Sequence, residues 1–278
     1  MVNKVKVTCL VSNSVMVDSK FKAEHALALL VEVGMTRILF DTGSNSDILA
    51  HNVKILDYDL SRVKYILLSH GHQDHTGGLE WVLSQTRQPL IIIDAAIFSK
   101  KSLREGKEYK SNGITLNRTQ LQGLAQLQLS EASYPIANGI YASGRIPHVV
   151  PFEVPQEKYL VENNLMLEVD NFLDERALYI EAEKGMVVLT GCCHAGINNT
   201  LNHAFKVYQK SILTVIGGLH LADASPDKVN KTATLLREKY KPQSMYLTHC
   251  TGLETIFAFR NSMGNSIKDL PVGTVLEF

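Results

Sequence analysis

The stretch Ser69-His70-Gly71-His72-Gln73-Asp74-His75 contains three histidines and one aspartate within six residues. It follows the apolar run Tyr65-Ile66-Leu67-Leu68 and precedes Thr76-Gly77-Gly78, a pattern that indicates a buried strand ending in a tight loop. Histidine nitrogens and carboxylate oxygens are ligands that divalent metals prefer. One tetrahedral ion does not usually take four ligands from so short a loop, so the spacing predicts two ions that share it. The alternative is a solvated histidine-rich loop without metal.

The spacing H-x-H-x-D-H in this loop resembles the signature of the metallo-β-lactamase superfamily. The resemblance implies that His70 and His72 bind a first ion, and that Asp74 and His75 bind a second. A water between two such ions loses a proton near neutral pH and becomes a nucleophile. Gly71 then keeps the loop free of a side chain that would crowd the ions.

The composition is that of an ordinary globular protein of 278 residues, with 45% hydrophobic and 20% charged residues. Lys plus Arg and Asp plus Glu number 28 each, so the zero net charge gives no general attraction to nucleic acid or to an anionic membrane. No apolar run approaches a membrane span, and the N-terminus lacks the pattern of a signal peptide. We therefore expect a cytoplasmic protein with a small-molecule substrate and neither nucleic-acid nor membrane partners. The oligomeric state stays open.

The four cysteines are Cys9, Cys192, Cys193 and Cys250, too few for a secreted disulfide framework in a chain of this length. Two of them adjoin histidines, in Cys193-His194 and His249-Cys250. In a reducing cytosol these are free thiols near a metal, or else small buried apolar residues. For Cys9, on an alternating N-terminal strand, we predict simple burial.

Predicted strands and helices alternate along both halves of the chain. The runs 5–11, 90–93 and 211–216 are typical of strands, whereas 198–210 and 228–240 have helical periodicity. This alternation indicates an α/β layered fold. We expect one domain over residues 1–278, with a less regular segment at about 98–146 that forms an insertion or a lid.

Three further histidines lie at the ends of predicted strands: His249 directly after one, and His194 and His220 each after three intervening residues. Strand ends on one edge of a sheet converge in space, so we predict that His194 and His249 are metal ligands. His220 is expected beside the site, as a catalytic residue that contacts substrate or transfers a proton. Among the other histidines, His148 is a weaker candidate. The following histidines are expected to be structural: His25, His51 and His203.

Gly191-Cys192 stands where superfamily members usually have Gly-Asp. A thiolate can replace a carboxylate at zinc or iron, so Cys192 is a candidate metal ligand, with a buried thiol as the open alternative. Asp41 ends an earlier predicted strand. It either orients a ligating histidine or caps the turn at Thr42-Gly43.

Further segments resemble one branch of the superfamily, the proteins similar to dihydropterin–ribofuranosylaminobenzene 5′-phosphate synthase. This branch resemblance implies an αββα sandwich with a dinuclear site. The segments are Glu24-His25-Ala26-Leu27, Leu39-Phe40-Asp41-Thr42-Gly43, Leu189-Thr190-Gly191-Cys192-Cys193-His194-Ala195-Gly196, Gly217-Gly218-Leu219-His220-Leu221 and His249-Cys250-Thr251-Gly252.

Three functions fit the sequence. The first is a metal-dependent hydrolase in which two divalent ions, zinc or alternatively iron or manganese, activate water against an ester, lactone or phosphoester. In it Asp74 anchors the second ion and orients the nucleophile. The second is a condensing enzyme of the pterin-related type, for which Tyr134, Tyr141, Arg145 and the lysines of 100–110 could line an aromatic and basic pocket. The third is a metal-dependent ligand sensor without turnover.

Overall fold

The computed structural model describes residues 4–278, whose strands form three sheets. In chain order the strands are β1 (Val5–Val11), β2 (Ala28–Val33), β3 (Thr36–Phe40), β4 (Tyr65–Leu67), β5 (Leu90–Ile93), β6 (Lys101–Glu105), β7 (Glu108–Ser111), β8 (Gln126–Leu129), β9 (Tyr134–Ala137), β10 (Ile140–Ala142), β11 (Tyr159–Asn163), β12 (Met166–Val169), β13 (Leu178–Ala182), β14 (Gly185–Thr190), β15 (Ile212–Gly217), β16 (Ser244–Leu247), β17 (Ile267–Asp269) and β18 (Val275–Glu277). The α-helices are α1 (Ser46–Ile55), α2 (Gln73–Thr76), α3 (Leu79–Gln85), α4 (Arg118–Leu124), α5 (Ile197–Tyr208), α6 (Pro226–Leu235) and α7 (Leu253–Met263).

Two of the sheets have seven strands each and contain both antiparallel and parallel pairs. Their strand orders are β18-β1-β2-β3-β4-β5-β8 and β17-β16-β15-β14-β13-β10-β9. In the first sheet the neighbours β3, β4, β5 and β8 are parallel to one another, and in the second sheet the neighbours β14, β15, β16 and β17 are parallel. Parallel strands present their carboxyl ends at one edge of a sheet, which is where the loops of the candidate site leave the strands.

The core is arranged in four layers. Side chains of both large sheets, such as Leu29 and Phe40 of the first and Leu189 and Ile216 of the second, pack in one buried cluster between them. The outer face of the first sheet packs against α1, α3 and α4, and that of the second against α5, α6 and α7. Each fully buried Leu, Ile or Phe side chain contributes roughly 1.5–3 kcal/mol. The predicted αββα sandwich is confirmed.

The helices begin at residues that suit this position. Asn45 precedes α1 and its side chain accepts a hydrogen bond from the Asp47 amide, while Asn117 precedes α4 in a reciprocal pair with Gln120. Such caps satisfy amides that have no partner within the helix. No helix within residues 4–278 is long and apolar enough to cross a membrane.

The region 98–146 is divided between the layers. Strands β6 and β7 pair with β11 and β12 in a separate small sheet of order β12-β11-β6-β7. The later part, from α4 to β10, belongs to the main layers, because β8 extends the first large sheet and β9 and β10 extend the second. The small sheet thus combines 101–111 with 159–169. A lid function of this region stays a prediction.

Candidate metal centre

The predicted metal-binding side chains meet at the edge where strands of both large sheets end. The loop after β4 carries His70 and His72 and leads into α2, and the loops after β14 and β16 come from the second sheet. Their ligand atoms form two groups, each within 4.8 Å: His70, His72 and His194 in one, and Asp74, His75, Cys192 and His249 in the other. The structure therefore brings all seven predicted ligands together.

The first group consists of three buried imidazoles. The ring centroids of His70 and His72 lie 4.5 Å apart, and His194 lies 4.9 and 5.0 Å from them. Burial lowers the pKa of each well below the usual value, and neighbouring histidines lower it further for His70 and His194, so all three are neutral. Nε2 of His70 and Nε2 of His194 are buried without a hydrogen-bond partner in the described part of the chain. Each such atom costs about 1–3 kcal/mol, a cost that a bound cation would remove.

The proton positions on His70 support the same conclusion. Ser69 Oγ donates its only proton to Asp41 Oδ2 at 2.8 Å, so it accepts the hydrogen bond from His70 Nδ1 at 2.9 Å. Nε2 of His70 then carries the lone pair and faces the group. A histidine held in this way is prepared to bind a metal through Nε2.

In the second group four donor atoms converge. Nε2 of His75, Nε2 of His249 and Sγ of Cys192 are each 3.2 Å from the other two, and Asp74 Oδ2 lies 3.3 Å from Nε2 of His249. Burial, and next the neighbouring Cys250, raise the pKa of the Cys192 thiol well above its usual value, and a bound metal ion would favour its thiolate form. For Asp74, the neighbouring His75 and His249 outweigh burial and lower the pKa, so it is a carboxylate. Two nitrogens, a thiol and a carboxylate at these distances fit a divalent metal ion.

Asp41 orients His75. Its Oδ2 accepts a hydrogen bond from His75 Nδ1 at 2.7 Å, and its Oδ1 accepts one from the Ser69 amide at 2.7 Å. Burial lowers the pKa of His75, but the carboxylates of Asp74 and Asp41 outweigh it and raise the pKa to about 9. A bound metal would displace the Nε2 proton, while Asp41 keeps the Nδ1 proton in place. Of the two predicted roles for Asp41, these contacts support the orientation of a histidine.

Three positioning residues have no signal in the sequence spacing. Asp174 Oδ2 accepts a hydrogen bond from the Gly71 amide at 2.7 Å, and Glu175 accepts from the amides of His194 and Ala195 at 2.5 and 2.6 Å. On the other side, His249 Nδ1 is 3.2 Å from Asn13 Oδ1, which leaves Nε2 of His249 for the second group. These contacts fix the backbone or ring of residues in both groups.

The backbone of the site is strained at four positions other than glycine. Asp41, Cys193, His220 and His249 have φ values of 60°, 65°, 51° and 55°. Residues held in this left-handed region cost of order 1–3 kcal/mol and cluster at functional sites. The surrounding fold must stabilise these conformations.

A cavity of about 300 Å³ adjoins both groups. Tyr159 of the small sheet forms part of its wall, with its ring centroid 5.2 Å from that of His72 and 5.4 Å from that of His220. Within the described residues the lining contains neither lysine nor arginine. The lining residues are His25, Ser44, His72, Gln73, Asp74, Leu103, Asn112, Tyr159, Cys192, His194, His220 and Cys250.

The remaining histidines divide into one near the site and three away from it. His25, which we expected to be structural, lines the cavity, and its ring centroid is 4.6 Å from that of His249. His51, His148 and His203 instead contact the Lys20 carbonyl, the Asn171 carbonyl and the Tyr179 hydroxyl, respectively. The structure does not bring these three into either group.

Replacement of Cys192 by serine tests whether its sulfur binds metal. Because a metal-bound sulfur must be a thiolate, the cobalt-substituted protein should show an intense sulfur-to-metal charge-transfer band in the near ultraviolet. We expect Cys192→Ser to remove this band and to weaken binding of at least one ion. The matched control is Cys193→Ser, because Cys193 Sγ instead lies 3.4 Å from Thr200 Oγ1 in the core. An unchanged spectrum and metal content in Cys192→Ser would limit this thiol to packing.

Known proteins resemble this chain over its whole length. The chain is 29% identical over 290 aligned residues to 7,8-dihydropterin-6-methyl-4-(beta-D-ribofuranosyl)-aminobenzene-5'-phosphate synthase of Methanocaldococcus jannaschii, with 100% of this chain and 98% of the relative covered. It is 28% identical to Tm1679, a metal-dependent hydrolase of the beta-lactamase superfamily, whose crystal structure matches with a TM-score of 0.84 over 99% of both chains. Human tRNase Z, short form, is 13% identical, with a TM-score of 0.53 over 98% of both chains, and shares the fold.

The sequence profile of the metallo-beta-lactamase superfamily matches residues 22–176, more than half of the chain. This range contains β4 and the histidine-rich loop, whose side chains belong to both donor groups. The four-layer fold and the position of the loop agree with that match. The chain therefore belongs to the metallo-beta-lactamase superfamily.

Proposed function

We propose that the protein is an enzyme that holds two divalent ions and activates water against an ester, lactone or phosphoester bond of a small molecule. Two donor groups that open onto a single cavity support this function. A concave site of about 300 Å³ has the size of a small-molecule pocket. The membership of the superfamily and the similarity to Tm1679 support metal-dependent hydrolysis as the reaction class.

Each residue has a defined part in this proposal. His70, His72 and His194 hold one ion, and a second set consisting of Asp74, His75, Cys192 and His249 holds the other. When bound, the ions polarise the substrate and lower the pKa of water. Asp74 is the carboxylate among these ligands; its side chain lines the cavity and is 25% exposed. It therefore also orients the attacking water. Zinc suits the mixed nitrogen, sulfur and oxygen set, and iron or manganese would also bind.

The second candidate is a condensing reaction of the pterin-related type. The full-length similarity to the synthase from M. jannaschii favours it. However, the basic and aromatic residues expected for its pocket lie elsewhere: Arg145 pairs with Asp94 at 2.9 Å, and the buried Lys101 pairs with Asp170 and Asp174. Tyr134 and Tyr141 lie on β9 and β10, outside the cavity lining. A diphosphate leaving group would therefore depend on the ions.

A substrate panel separates the candidates. We expect the metal-loaded protein to hydrolyse at least one generic phosphodiester, lactone or thioester, and the chelator-treated protein to lose that activity. A pterin diphosphate with an aminobenzene ribotide is the parallel test. Coupling of this pair with release of diphosphate, and no hydrolysis of the panel, would contradict the hydrolase and support the synthase. Metal-dependent binding of these compounds without turnover would instead support the ligand sensor.

A further inference from the structure

Within residues 4–278, His220 has a buried ring nitrogen without a hydrogen-bond partner, as do the proposed ligands His70 and His194. The atom is Nδ1 in His220 and Nε2 in the other two. The sequence predicted that His220 contacts substrate or transfers a proton. A buried imidazole nitrogen without a hydrogen-bond partner costs about 1–3 kcal/mol, a cost that a bound metal ion would remove.

The position of His220 connects the two donor groups. Its ligand atom lies within 4.8 Å of those of Cys192 and His194, and its ring centroid is 4.1 Å from that of His194. Cys192 belongs to one group and His194 to the other. His220 therefore lies where either ion, or both, would be within reach.

The loop that carries His220 is held in place by the loop that carries His249. The His220 amide donates to Cys250 Sγ at 3.3 Å, the Leu219 amide donates to Thr251 Oγ1 at 3.1 Å, and the Leu221 amide donates to the Cys250 carbonyl at 3.1 Å. Gly218 packs so closely that a Cβ there would lie 2.5 Å from the Gly191 carbonyl oxygen. Backbone contacts thus fix the left-handed conformation of His220 and direct its ring to the site.

We propose that His220 is an eighth protein ligand of the metal centre and binds through Nδ1 between the two donor groups. The inference rests on the proposed two-ion function and adds a ligand from the strand end after β15. Structural zinc sites are closed by four protein ligands, whereas catalytic sites keep one position for water or substrate. An additional protein ligand between the two groups would decide how many coordination positions on the ions remain open for water or substrate.

Cobalt binding by His220→Gln tests this assignment without measuring activity. The metal-free protein is titrated with cobalt(II), and affinity and visible d–d spectrum are compared between wild type, His220→Gln and the matched control His203→Gln. We expect the loss of a ligand to weaken binding of at least one ion by about 10-fold or more and to change the d–d bands. His203 contacts Tyr179 away from the site, so its variant should behave like wild type.

A second variant separates lost ligation from a disturbed loop. Glycine suits the positive φ of residue 220, and His220→Gly leaves room for free imidazole. We expect imidazole to restore the wild-type d–d spectrum in His220→Gly. Wild-type cobalt affinity and spectrum in His220→Gln would overturn the assignment of His220 alone, since a two-ion centre would remain. A wild-type protein that binds no cobalt, zinc, iron or manganese would overturn both this inference and the proposed function.

Discussion

Replacement of Asp74 by asparagine is expected to lower turnover by about 10³-fold or more while leaving the fold intact. Asparagine keeps the shape of the side chain but removes the negative charge beside Nε2 of His75 and Nε2 of His249, which lie 3.7 and 3.3 Å away. Metal-ion catalysis supplies several kcal/mol of stabilisation, and each 1.36 kcal/mol corresponds to a factor of ten in rate. Turnover of the most rapidly hydrolysed substrate of the panel and the circular dichroism spectrum measure the two effects.

Asp47→Asn is the matched control, because Asp47 is an exposed carboxylate in the first turn of α1. It should keep both turnover and fold. Turnover of Asp74→Asn near the wild-type value would remove Asp74 from the mechanism. A collapsed circular dichroism spectrum would instead contradict the view that this carboxylate serves the metal centre and not the fold.

The variants His72→Ala and His249→Ala should each lose one of the two ions, because the two histidines belong to different donor groups. Elemental analysis should give two ions for wild type and about one for each variant. We expect the double variant His72→Ala/His249→Ala to retain neither ion at wild-type affinity. His148→Ala is the control, since this exposed histidine contacts the Asn171 carbonyl outside both groups. Two tightly held ions in either single variant would make the corresponding ligand assignment wrong.

The sequence predicted those parts of the site in which an apolar run is followed closely by histidine or aspartate. The apolar run 65–68 and the dense loop after it predicted a strand end with ligands, and β4 followed by α2 places His70, His72 and Asp74 there. His194 and His249 were predicted because each follows an apolar run, and parallel strand ends converge. The structure brings these residues together in two groups, and their roles as ligands stay a prediction.

Other parts of the site depend on long-range pairings that leave no periodic signal. Tyr159 reaches the cavity because β11 pairs with β6, more than fifty residues earlier, and Asp174 reaches Gly71 across a separation of 103 residues. Asn13 and His25 lie in irregular segments, so their contacts with His249 follow only from the folded arrangement of both sheets. Residues of this kind position the side chains of the two donor groups, but a single sequence gives them no distinctive spacing.

We propose that two metal ions bind side by side, one in each donor group. Anomalous scattering from crystals of the metal-loaded protein, recorded at the absorption edge of the metal found by elemental analysis, tests it most directly. We predict two anomalous peaks, one among His70, His72 and His194 and one among Asp74, His75, Cys192 and His249. A single peak at full occupancy, or peaks away from these side chains, would contradict the claim.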